Sequence, residues 1–185
     1  MKIVFYRTLL KRAMNISPSE RILYSFLVSK SILRLDDIYD NEGFSLNKEE
    51  LEIQLRNNGN AINICELNHS KIARELNMTR KTIIEGMKTL KRLGYISDKR
   101  IYVNEELIKR GYFVLEHVDV LKGDLLIFYS YLRDKSSDYG YCIDTCKEKL
   151  AIQVGKTKTA VTKLLNKLYA VGLAQRLNNG KLLIK

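Results

Sequence analysis

Apolar positions three or four residues apart recur along this chain, broken by short runs at a spacing of two, a pattern that predicts helices separated by brief strands. Two amphipathic helices are expected, over roughly Ser19 to Leu33 and Val120 to Lys135. Each leads through a connector to a short strand, around Ala61 to Cys65 or Tyr141 to Ile143, and then to a short helix, about Ser70 to Leu76 or Cys146 to Val154. Thr79 and Thr157 each read as an N-cap, because a hydroxyl there accepts the unpaired N–H groups of a first helical turn. The helices they open place Ile83, Met87 and Leu90, and Val161, Leu164, Leu165 and Leu168, on one apolar stripe. Gly94 and Gly172 stop them, as glycine in the left-handed region does just past a helix end. A hairpin follows each: YISDKRIYVN, and LAQRLNNGKLLIK, where Asn179-Gly180 signals a tight turn.

These two runs are one unit met twice. Lys71 to Ile96 returns without a gap at an offset of 78 residues, beginning at Lys149. Ala73 matches Ala151, Thr79 matches Thr157, Ile83 matches Val161, Leu90 matches Leu168, and Gly94 matches Gly172. Upstream, ILYSFL at Ile22 to Leu27 matches IFYSYL at Ile127 to Leu132, 105 residues on. The first copy therefore carries about 27 extra residues, an acidic insert within Leu33 to Asn68.

Helix, strand, short helix, turn, longer helix, hairpin: this order resembles the winged helix-turn-helix superfamily. LNMTRKTIIEGMKTLKRLGYI in particular looks like the motif core of MarR-like regulators and plasmid replication initiators. The resemblance spans about 70 residues in the second copy and about 85 in the first. It implies a mainly α fold with small β-hairpin wings, an α+β class, in two tandem domains. Residues 1–111 would form the first, with an N-terminal arm and the insert (about 34–68), and residues 112–185 the second. Asn104 to Gly111 reads as a short helix and Tyr112 to Leu115 as a strand joining the two. In the arm, Phe5, Leu9, Leu10 and Met14 have helical or strand-then-helix spacing, which fits a cover for the first core better than a DNA arm or dimerisation element.

Charge gives the repeat a chemistry. The 185 residues hold 32 Lys and Arg against 21 Asp and Glu, a net +11. By segment the balance is +4 over residues 1–18, −4 over 19–70, +6 over 71–111 and +5 over 112–185. Both strongly basic blocks contain the repeated motif, and a cationic field of this kind attracts polyanions. No stretch reaches the roughly 18 apolar residues of a membrane helix, and Arg7 cuts short the apolar run at Ile3 to Tyr6, so no anchor or signal peptide is expected. Three cysteines (Cys65, Cys142, Cys146) form no disulfide framework, which suits a reducing cytoplasm.

With the apolar stripe turned inward, the outward positions of the longer helices, 79–93 and 157–171, are the candidates for reading base edges in the major groove of double-stranded DNA. They are Arg80, Lys81, Glu85 and Lys88, with Ile84 among them, and Lys158, Thr159, Thr162, Lys163 and Asn166. Arginine suits guanine, asparagine suits adenine, and Glu85 either accepts from cytosine or orients Lys81 and Lys88. Backbone contacts are expected from Lys71, Arg74, Lys147 and Lys149 on the short helices, from the capping Thr79 and Thr157, and from the hairpin residues Lys99, Arg100, Arg176, Asn178, Asn179 and Lys181. Lys81 matches Thr159, Ile84 matches Thr162, and Lys88 matches Asn166, so an imperfectly repeated target is expected rather than a palindrome.

Other chemistry is weak. Gly155-Lys156-Thr157 resembles the end of a phosphate loop, but Leu150 stands where the leading glycine belongs. Cys142 and Cys146 lack a second ligand pair and read as buried thiols, and His69 and His117 sit in no nucleophile arrangement, so no metal, cofactor or enzymatic activity is expected. The leading expectation is a sequence-specific DNA-binding transcriptional regulator. The alternatives are a replication initiator, or a tandem winged-helix subunit of a chromosome-condensation-type complex that grips proteins. A homodimer or protein partner would be met through the arm or the acidic insert.

Overall fold

The computed structural model describes residues 2–11, 15–33, 67–98, 101–103, 110–116, 118–136, 141–142 and 146–185. Two compact units emerge: Ile16–Tyr112, and Met1–Asn15 together with Phe113–Lys185. The boundary between the units falls between Tyr112 and Phe113. The arm, however, belongs with that second unit and not with the first. The insert, the strand expected over 61–65, most of the helix expected over 104–111, His117, Cys65 and the hairpin tip at Lys99 and Arg100 lie outside the described residues.

In the first unit, α1 (Pro18–Leu33), α2 (His69–Glu75) and α3 (Arg80–Arg92) pack with α3 against both others. A capping box opens α1: the Ser17 hydroxyl accepts from the Glu20 amide at 3.3 Å while the Glu20 carboxylate accepts from the Ser17 amide at 2.6 Å, with Pro18 at the first helical position. Residues Ile22 to Ser29 are buried without interruption, so α1 is a central helix enclosed on all sides and not the amphipathic one expected. Gly86 lets α3 come close to it, since a Cβ there would lie 2.9 Å from Leu23 Cδ2. The hairpin is represented by one antiparallel bridge, Ile96 to Ile101, both buried.

The second unit repeats this order. It comprises α4 (Gly123–Lys135), β3 (Tyr141–Cys142), α5 (Lys147–Gln153), α6 (Lys158–Ala170), β4 (Ala174–Arg176) and β5 (Leu182–Ile184). The strands form an antiparallel sheet in the order β3-β5-β4, with Gln175 opposite Leu183 and Cys142 opposite Leu182. Like α1, α4 is buried over consecutive residues, Leu126 to Leu132. The turn at Asn179-Gly180 is longer than the two-residue form: Gly180 donates to Leu177, Leu177 donates to Lys181, and Gly180 takes φ +78°. That is a turn followed by a left-handed glycine, the three-residue hairpin geometry.

The arm supplies β1 (Lys2–Tyr6), which pairs with β2 (Tyr112–Glu116), followed by a 3₁₀ turn over Arg7–Leu10. Ile3, Phe5, Tyr6, Leu9 and Leu10 are buried. Phe5 lies 5.1 Å from Phe113, and Phe113 meets Tyr131 edge-on at 5.8 Å. Arg7 lies over both Phe113 and Tyr131 and pairs with Asp134. The arm therefore covers the second unit's core because its aromatic partners are there.

One tie recurs across the repeat. Tyr24 on α1 donates its hydroxyl to the Tyr102 carbonyl, and Tyr129 on α4 donates to the Lys185 carbonyl. Those acceptors are equivalent residues, because the Tyr102 amide donates to Tyr95 and the Lys185 amide donates to Leu173, and Tyr95 and Leu173 are 78 residues apart. In each unit a central-helix tyrosine thus holds the returning hairpin strand.

The arm also meets the turn between α5 and α6. Gly155 has φ +64°, and a Cβ on it would lie 2.4 Å from the Leu10 carbonyl oxygen. Gly155→Ala is expected to lower stability in denaturant titration by more than about 2 kcal/mol, since left-handed strain and the collision act together. At the equivalent Asn77, where φ is +50°, substitution by glycine is expected to change stability by less than about 1 kcal/mol.

Candidate nucleic-acid interface

The longer helices are positioned by the same local bonds in both units. The α2–α3 turn ends α2 with the Asn77 amide donating to Arg74 and the Met78 amide donating to Ala73. Its counterpart has Gly155 donating to Ile152 and Lys156 to Ala151. This paired pattern with a left-handed residue is the Schellman geometry, and it turns the chain sharply without leaving carbonyls unpaired. Thr79 then accepts from the Thr82 amide at 3.1 Å, and Thr157 from the Ala160 amide at 3.2 Å, so both are the N-caps expected. Both helices run 13 residues and end in the same double bond at Gly94 and Gly172, at φ +76° and +72°.

Burial separates the two faces of each helix. Ile83, Met87 and Leu90 are buried on α3, and Val161, Leu165 and Leu168 on α6. On α3, Arg80, Lys81, Glu85 and Lys88 are all exposed, while Ile84 is half-buried. Lys81 lies 3.9 Å from Glu85, one turn along the helix. On α6, Lys158, Thr159, Lys163 and Asn166 are exposed. Thr162 departs from the expectation, being half-buried with its hydroxyl donated to the Lys158 carbonyl at 3.0 Å, an internal helix bond that draws it away from solvent.

Around them lie the expected backbone-contacting groups. Lys71 and Arg74 on α2 and Lys149 on α5 are exposed, and Lys147 is half-buried. Arg176 and Asn178 are exposed on the second hairpin, and Asn179 accepts from the Lys181 amide at 3.0 Å, which shapes the tip. Burial raises the Tyr169 hydroxyl above its ordinary range, partly offset by the nearby Arg176 charge.

Lys158 does not stand free. Its ammonium pairs with Glu148 on α5, and that carboxylate also accepts from the Cys146 thiol at 3.3 Å. The hydrogen bond from Lys158, followed by those from the Glu148 amide and from Cys146, holds the Glu148 carboxyl far below its usual range, at about 2. The same pairing pushes the Lys158 ammonium up. With the folded value depressed, the pair is intact at neutral pH and is lost only as pH falls through about 2. Cys146 is exposed at the N-cap of α5, which corrects the expectation of a buried thiol there; the side chain of Cys142 is outside the described residues. The phosphate-loop mimic is accounted for as well, since Gly155 forms the turn, Lys156 pairs with Asp124 at 2.7 Å, and Thr157 is a cap.

No helix among the described residues is long and apolar enough to cross a membrane. No family model, curated protein or solved structure matches the chain.

Thr79→Ala and Thr157→Ala are each expected to cost about 1 kcal/mol in denaturant unfolding, the usual worth of a threonine cap. Restoring the acceptor with Ser at the same position is expected to recover most of it.

Proposed function

We propose that this chain is a sequence-specific double-stranded-DNA-binding protein, built as two tandem winged helix-turn-helix domains, that regulates transcription by occupying its site. What supports the reading most is a feature shared by both units, joined in the second by another. A sharp left-handed turn and a threonine cap launch a 13-residue helix with a buried apolar face and an exposed, cation-bearing one. The β3-β5-β4 sheet beside α6, with Arg176 and Lys181 on its hairpin, has the strand order a wing needs. In this reading α3 and α6 enter the major groove. Arg80 takes guanine O6 and N7, Asn166 takes adenine, and Lys71, Arg74, Lys149 and Arg176 neutralise phosphates.

A second reading, protein docking, has one observation in its favour. Leu93 and Val171, at equivalent helix ends, leave apolar side chains 39% and 44% exposed. Isolated exposed apolar residues are common on any surface, so the cationic faces weigh more.

Selection from random duplexes, followed by affinity measurement against salt, tests the proposal. A defined motif is expected, with log affinity falling steeply on log salt at about 0.9 per phosphate neutralised. Arg80→Ala and Asn166→Ala are each expected to lose about 1–3 kcal/mol of base discrimination, whereas Arg176→Ala weakens all sequences alike. Tight retention of another protein with no duplex affinity would favour docking instead.

A further inference from the structure

Superposing the copies by their 78-residue offset matches Lys158 with Arg80, each the first residue of its longer helix, and matches Glu148 with Ser70, each on the first turn of its short helix. The two positions are chemically unlike. In the second unit the leading cation is paired with Glu148, which is fixed in turn by Cys146. In the first unit the serine carries no charge, and among the described residues Arg80 forms no ion pair.

We propose that Glu148 is an intramolecular competitor of DNA for the Lys158 ammonium, so that α6 meets a duplex with its leading charge already neutralised, whereas Arg80 on α3 has no such competitor among the described residues. This rests on the DNA-binding reading above. A neutral Lys158–Glu148 pair displaces no counterion from the phosphates. For the ammonium to reach a phosphate or a guanine it must leave Glu148, and the bared carboxylate then sits beside the anionic backbone. At this position the first unit therefore offers the phosphates a cation that the second offers only once the pair opens. Contacts by Lys158 are made only where the base edges offset the loss of the pair, which makes Glu148 a specificity-determining residue of the second half-site.

Glu148→Gln in the full chain, bound to a mixed-sequence DNA duplex across a salt series, tests this. Glutamine keeps the shape and removes the charge, so affinity at low salt is expected to rise about fivefold, the scale of a surface ion pair. The salt dependence is expected to steepen by about 0.9, one further phosphate. Ser70→Glu, which adds an acid at a helix start where it favours folding, is expected to weaken binding and flatten the salt dependence by similar amounts. In the Lys158→Ala background Glu148→Gln still relieves repulsion of the phosphates, but no cation is released to them, so the added steepening of the salt dependence is expected to vanish. Affinity unchanged by Glu148→Gln in a protein that binds the duplex would overturn the proposal, and so would an equal steepening of the salt dependence without Lys158. A wild-type chain that binds no duplex at any salt would instead overturn the DNA-binding reading, and this inference with it.

Discussion

The structure depends on one constraint, the sharp left-handed turn between the short and the longer helix of each unit. Four residues from the end of α2 or α5 to the start of the next helix reverse the chain while keeping its backbone polar groups paired, through the carbonyls of Ala73 and Arg74 or Ala151 and Ile152 and the caps Thr79 and Thr157. Everything downstream takes its direction from there. The turn commits Ile83, Met87 and Leu90, or Val161, Leu165 and Leu168, to the core, and so commits the opposite face to solvent. The charged side chains are outward because the apolar ones have nowhere else to go.

The hairpins are tied to the same frame from the other side. Tyr24 and Tyr129 reach from enclosed central helices to a carbonyl of the returning strand, so each hairpin is referenced to the core and not only to its own turn. Such a bond between a half-buried hydroxyl and a backbone carbonyl contributes modestly in free energy but fixes position. A longer helix and a hairpin held by one core keep a constant relation to each other, which is what the proposed simultaneous contact with a groove and its flanking phosphates requires.

Much of this was legible because the repeat makes local signals count twice. Thr79 and Thr157, Gly94 and Gly172, and the apolar stripes all act through neighbours within a few residues, where spacing is decisive. Long-range choices were not legible. Nothing in KIVFY says that the arm pairs with Tyr112–Glu116, because short strands carry little register information and the partner is set by where Phe113 and Tyr131 lie. The Lys158–Glu148 pair joins two helices across a turn, outside the one-helix spacings that pattern reading uses. Enclosure of α1 and α4 on all sides hid behind their serines and tyrosines, which look polar in sequence yet are buried at Ser25, Ser29 and Ser130. The Ser17–Glu20 capping box was written plainly in the sequence, as a serine followed three residues later by glutamate.

The most direct test of the central claim is a titration of the isotope-labelled chain with a DNA duplex, followed through its backbone amide resonances. Shifts are expected to concentrate in the first halves of Arg80–Arg92 and Lys158–Ala170 and in the hairpin after Ala174, with Leu126 to Leu132 unmoved. Shifts confined to other surfaces, or spectra indifferent to the duplex, would contradict it.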